Sequence, residues 1–147
     1  MKEIRKIIIR TEPSFRCVDD KEYDKLIITS NSISYYNIHT YMHIDIKSQT
    51  KVNEVLRKWK FETDSQEFQN QYKKILTITM DIIENKLNEK CLDGNMYTFT
   101  LYDVNNKRKT TIFAGDIPCR LGELYKKIEK IIPEIEKEQY MFKQIIL

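Results

Sequence analysis

The sequence predicts an α+β fold: a predominantly antiparallel sheet of about six strands, with a long central helix and a C-terminal helix packed on one face, in the order ββββαββα. Three observations predict it. Isoleucine occurs 22 times against one alanine and four valines, so branched residues that favour strands dominate the apolar set. Short alternating stretches are separated by two-residue turn signals, which mark hairpins rather than parallel crossovers. Two longer stretches repeat their apolar residues at helical spacing.

Taken in order, Ile4 to Thr11 is a first strand that stops at Pro13, where an amide donor is lost. Residues 14 to 24 are acidic and irregular. Lys25 to Thr29 and Ser32 to Asn37 flank Ser30-Asn31, a tight hairpin tip. After a polar stretch around Lys47 to Lys51, Val55, Trp59 and Phe61 fall at odd positions and Lys58, Lys60 and Glu62 at even ones. That period of two predicts a half-buried strand with its basic face in water; Arg57 breaks the odd series and is expected to snorkel.

A helix is predicted over about 65 to 90, where Phe68, Tyr72, Ile75, Thr79, Ile82, Ile83 and Leu87 share one stripe. Thr63, Asp64 and Ser65 offer N-cap oxygens, and Asp64 with Glu67 fits a capping box. The helix ends near Asp93-Gly94, a turn that glycine suits. Met96 to Val104 and Lys107 to Phe113 are strands joined by Asn105-Asn106. Asp116-Ile117-Pro118 opens a second helix with the stripe Leu121, Leu124, Tyr125, Ile128, Ile131 and Ile132, closed by Pro133. The last stretch holds Tyr140, Met141, Phe142 and Ile145-Ile146-Leu147, a tail apolar enough to be docked on the core or on a partner, including a second copy of the chain.

At 147 residues the chain is expected to be a single domain, 1–147, with one core. The formal net charge is +3 and is spread evenly along the chain, so no basic arm or acidic tail is present. Cys17, Cys91 and Cys119 are odd in number and far apart, which suggests neither a metal knuckle nor a disulfide framework and fits a reducing cytoplasm. No segment has the length and apolarity of a membrane span, and none looks like a signal segment.

Three isolated glycines build no phosphate cradle, and there is no G-x-S-x-G elbow, which disfavours nucleotide-dependent and serine-hydrolase chemistry. His39 and His43, with Asp45 two residues on, would share a face and hold a divalent metal if they lay on a helix. On a strand, residues four apart are about 13 Å apart and share no ion. Strand or loop is the expected setting, and no metal or other cofactor is expected. Asp93 and Asp116 have local work as turn and cap residues. Cys119, in the first turn of a helix, has raised reactivity but no histidine partner.

Arg57, Lys58, Trp59, Lys60 and Phe61, with Lys107, Arg108 and Lys109 at a hairpin tip, form the basic-aromatic pattern used by single-stranded nucleic acid binders. The alternation itself predicts Trp59 and Phe61 in the core. Tyr35, Tyr36 and Tyr41 cluster near the first hairpin and, with Tyr140 and Phe142 of the tail, are the candidate contacts for a protein partner.

The run from Cys91 to Leu101, containing Asp93-Gly94 and then Tyr97, Phe99 and Leu101, followed by Gly115, Pro118 and Leu121 to Tyr125, resembles small, mostly uncharacterised bacterial α+β proteins. In these a D-G turn leads into an aromatic strand, a second strand, a G-x-x-P turn and a final helix. The resemblance implies a compact fold and carries over no active residue. The expectation is a cytoplasmic, non-enzymatic protein-binding module; the alternatives are a single-stranded nucleic-acid binder and a divalent-metal enzyme.

Overall fold

The structure, a computed structural model, describes residues 4–13, 20–84, 95–103, 107–114 and 119–133. It is a mixed α+β arrangement of one antiparallel sheet and two helices. The strands are β1 (Ile4–Pro13), β2 (Asp20–Thr29), β3 (Ser32–Asp45), β4 (Ser48–Glu62), β5 (Asn95–Asp103) and β6 (Lys107–Ala114); the helices are α1 (Gln66–Glu84) and α2 (Cys119–Glu129). The spatial order is β4-β3-β2-β1-β5-β6. The first four strands form a meander, and β5 then pairs with the free side of β1.

Register fixes which side chains share a face. Across the sheet, Phe61, Ile33, Ile28, Ile7 and Leu101 form one row, and Trp59, Tyr35, Leu26, Ile9 and Phe99 the next. Both helices lie on this face. Phe68, Tyr72, Ile75, Ile78 and Ile82 of α1 and Leu124, Tyr125 and Ile128 of α2 join the β1, β2, β3 and β5 members of these rows in one buried cluster; Trp59 packs partly buried against it, and Phe61, expected in the core, is exposed at the sheet edge. Each fully buried side chain of this kind contributes about 1.5–3 kcal/mol. Helix α1 spans 19 residues, or about 28 Å, enough to carry the chain over the strands between β4 and β5, roughly 19 Å apart. The Tyr72 hydroxyl donates to the Ile4 carbonyl at 2.8 Å and fixes the helix to β1.

Several boundaries differ from the sequence expectation, each for a local reason. The N-cap of α1 is Ser65, whose Oγ accepts the Phe68 amide; Asp64 does not fill that role. Helix α1 is described as far as Glu84, and the expected Asp93-Gly94 stop lies outside the described residues, as do Asn105-Asn106 and Asp116 to Pro118. Strand β2 starts at Asp20, inside the stretch expected to be irregular. Of the polar stretch, Ser48 to Lys51 belongs to β4, because β3 and β4 continue beyond the end of β2 as a two-stranded arm turning at Ile46-Lys47.

The expected single period in β4 is also interrupted. Asn37 faces Arg57 but Ile38 faces Val55, so Leu56 is an extra, bulged residue. The bulge shifts the alternation by one, and Val55 consequently lies on the face opposite Trp59 and Phe61. As the edge strand, β4 is mostly exposed rather than half-buried.

Candidate functional site: the open face of the sheet

The face away from the helices has a different composition. Strand alternation places Lys6, Ile8 and Arg10 of β1, Tyr23, Lys25 and Ile27 of β2, and Ser34, Tyr36 and Ile38 of β3 there. Strand β4 adds Lys60 and Lys58 before the bulge, and Val55, Asn53 and Lys51 beyond it. In one row Lys58 faces Tyr36, Tyr36 faces Lys25, Lys25 faces Arg10 and Arg10 faces Thr98. The neighbouring row runs Lys60, Ser34, Ile27, Ile8 and Thr100, and the register brings Lys109 opposite Thr100.

Charge is therefore sorted by face even though it is even along the chain. Among the described side chains of the open face, Lys6, Arg10, Lys25, Lys51, Lys58 and Lys60 are accompanied by one carboxylate, Glu62. Glu62 is held by Lys60 at 2.8 Å. That hydrogen bond raises the Lys60 pKa and lowers that of Glu62, keeping both ionised. The acidic residues of β2 and the adjoining part of β4 lie in the opposite rows: Asp24 faces Asn37, and Glu22 faces His39, which faces Glu54; by register Glu12 of β1 is on the open side, two positions beyond Arg10.

Three tyrosines accompany the cations. The Arg10 guanidinium lies 3.7 Å from the Tyr23 ring centroid, and the Lys6 ammonium lies 4.8 Å from that of Tyr102. Among the described residues nothing is stacked on the half-buried ring of Tyr36. Its phenol is close enough to Lys60 to help raise that pKa. Ser34 and Thr100 are buried although they belong to this face, so the longer side chains around them shield the small residues of the middle row.

The sequence-predicted residues divide as follows. Of the basic group, Lys58 and Lys60 are on the open face. Lys107 and Lys109 sit at the matching register positions, opposite Tyr102 and Thr100. Arg57 and Arg108 do not join them: they occupy rows of the helix-covered face, opposite Asn37 and Leu101. Trp59 belongs to that face too, 5.7 Å from Tyr35, which removes it as a stacking surface.

Among the partner-contact candidates, Tyr35 is a correction. It is fully buried, and its hydroxyl donates to Asp24 at 2.6 Å, so it is a core residue. Burial pushes the Asp24 pKa up, and hydrogen bonds from Tyr35 and Asn37 oppose that rise. Tyr41 is half-buried near the base of the arm, with its ring 5.1 Å from His39. Tyr140 and Phe142 lie outside the described residues, as do Cys17, Cys91 and Asp93.

His39, His43 and Asp45 all belong to β3, so the two imidazoles are not brought together as a helix would bring them. His43 faces Thr50, and Asp45 accepts the Ile46 amide. Among the described residues no group of three histidine, cysteine or carboxylate side chains could hold a metal ion, and no helix is long and apolar enough to cross a membrane.

Sequence reasoning missed Lys6, Arg10 and Lys25, which are scattered over two strands and converge only through pairing. The signal that identifies them is the alternation of each with an isoleucine or leucine. A cleft of about 1040 Å³ opens at the end of the sheet between the β2–β3 turn and α1. It mixes Arg5, Lys60 and Lys73 with Glu62 and Asp64, so it presents no single charge. No family model, curated protein or solved structure matches the chain.

Proposed function

We propose that the protein is a binding module without chemistry of its own, that its working surface is the open face of the sheet, and that its ligand is an extended anion. The sorting of charge carries this reading: cations gather on one face of a sheet whose other face is covered by helices. Clustered charge of one sign raises the local concentration of the opposite sign and steers association. The neighbouring row, Ser34, Ile27, Ile8 and Thr100, carries no charge, so the cations form a line across the strands, which suits a chain laid along it.

The test is retention on immobilised heparin as a function of salt. The wild-type protein is expected to be retained and to elute earlier when Lys25→Glu and Lys58→Glu are combined. Lys73→Glu with Lys74→Glu, the same charge change on exposed positions of α1, is expected to have little effect. Equal losses in the two variants would show that only net charge matters and would remove the surface from the proposal.

A second reading, recognition of another protein, is favoured by the β3–β4 arm and its edge. Ile44 and Ile46 are 71% and 99% exposed, and Val55 and Leu56 are exposed farther along the same hairpin. Strand β4 is an unpaired edge in the described sheet, and an extended segment adding to it would satisfy its free backbone groups.

A further inference from the structure

We infer that the extended anion is a single-stranded nucleic acid that crosses the strands from β4 to β1, with a base stacked on Tyr36 and phosphates on the cations around it. The inference rests on the reading of the open face as an anion-binding surface and adds the chemical class of the ligand. Lys58, Tyr36, Lys25 and Arg10 are successive cross-strand neighbours, so the row from Lys58 to Arg10 spans three strand spacings, about 14 Å. Lys60, opposite Ser34 in the next row, is paired with Glu62 and leaves three cations in the row itself.

An aromatic ring enclosed by cations is the arrangement a nucleotide chain recognises, because each unit offers a π face and a phosphate. An acidic peptide would satisfy the lysines equally well but has no general use for the ring. Tyr23 and Tyr102 differ from Tyr36 in already carrying a cation on the ring. Tyr36 is therefore the residue that distinguishes a nucleotide from other anions.

The sheet setting separates single strands from duplex. Recognition of a duplex requires an element that enters a groove, whereas unpaired bases lie on a sheet. The rows at the centre of this face consist of Ser34, Ile27, Ile8 and Thr100 beside Tyr36, Lys25, Arg10 and Thr98, with no described helix standing over them.

Fluorescence anisotropy with labelled oligo-U and oligo-dT of about 12 nucleotides, within the usual footprint of such surfaces, tests the inference. A duplex of the same length and heparin serve as competitors. The wild-type chain is expected to bind the single strands in preference to the duplex. Three phosphate contacts would give a slope of about −2 in log K against log salt. Tyr36→Ala is expected to lower oligonucleotide affinity about ten-fold or more, leaving heparin binding unchanged, and Tyr36→Phe to restore it. Lys25→Glu with Lys58→Glu is expected to weaken both. Circular dichroism melts confirm that each variant is folded, and a variant that is not folded is replaced by Tyr36→Leu or by Lys25→Gln with Lys58→Gln.

Heparin binding without oligonucleotide binding, or equal effects of Tyr36→Ala on both ligands, overturns the nucleic-acid inference and leaves the anion-binding face standing. Preference for the duplex overturns it as well. Absence of binding to every probe overturns both.

Discussion

On β1, β2 and β3 the residues facing the helices, Ile7, Ile9, Leu26, Ile28, Ile33 and Tyr35, are fully buried, whereas those between them include Lys6, Arg10, Lys25 and Tyr36. The same backbone therefore supports two surfaces with different obligations. One holds the fold together through apolar contact. The other is constrained by charge and shape, and neighbouring positions in sequence inform on different properties. A substitution on the covered face should be read in stability, and one on the open face in binding.

The largest effect that would break this comparison is in the core. Phe99→Ala, on the covered face, is expected to cost about 3–5 kcal/mol, while Ile8→Ala, on the adjacent strand but the open face, should cost on the order of 1 kcal/mol. Urea unfolding of the two variants checks the contrast, and similar costs would mean that the open face is packed as tightly as the covered one.

A smaller effect concerns Asp24, a half-buried carboxylate. Because burial raises the Asp24 pKa above its ordinary value of 3.8, the folded protein binds this proton more readily than the unfolded chain. Its contribution to stability is accordingly most favourable below pH 3.8 and falls as pH rises through the folded value. The stability of Asp24→Asn relative to wild type should climb with pH over that window, by at most about 1.4 kcal/mol per pH unit, and then level off. A difference independent of pH would show that the hydrogen bonds from Tyr35 and Asn37 offset burial completely.

The smallest effect sharpens the role of the bulge. Deleting Leu56 closes the ladder between β3 and β4 without exchanging the faces on either side, since Val55 already opposes Ile38 and Arg57 already opposes Asn37. The expected change in unfolding free energy is on the order of 1 kcal/mol or less. Deleting Lys58 instead would bring Arg57 opposite Tyr36 and Leu56 opposite Asn37, so both deletions keep a cation on the open face, and similar heparin retention is expected if only the cations of that face matter.

Much of this arrangement was legible in the sequence wherever one face is apolar. The isoleucine and tyrosine alternation of β1 to β3 and the stripes of both helices announce themselves, and Ser30-Asn31 forms the expected tip. The arm was not legible, because both of its faces are wet and no apolar period distinguishes strand from loop. The β4 bulge was hidden for a related reason: Val55, Trp59 and Phe61 are all odd, and only pairing reveals that a residue is inserted between them. The cationic face was half legible. Lys58 and Lys60 adjoin a tryptophan and draw attention, whereas Lys6, Arg10 and Lys25 look like ordinary solubilising charges until the strands are aligned.

The position of β1 in the middle of the sheet has a consequence for synthesis. Its partner β2 follows at once, but its other partner, β5, ends about 40 residues after β4 does. At the usual pace of translation, roughly 5–20 residues per second, the nascent four-stranded meander waits some 2–8 s with the Ile7-Ile8-Ile9 edge unpaired. An isoleucine-rich edge exposed for seconds invites pairing with a neighbouring nascent chain. Yield at high expression should therefore depend on how quickly the ribosome delivers residues 95 to 103.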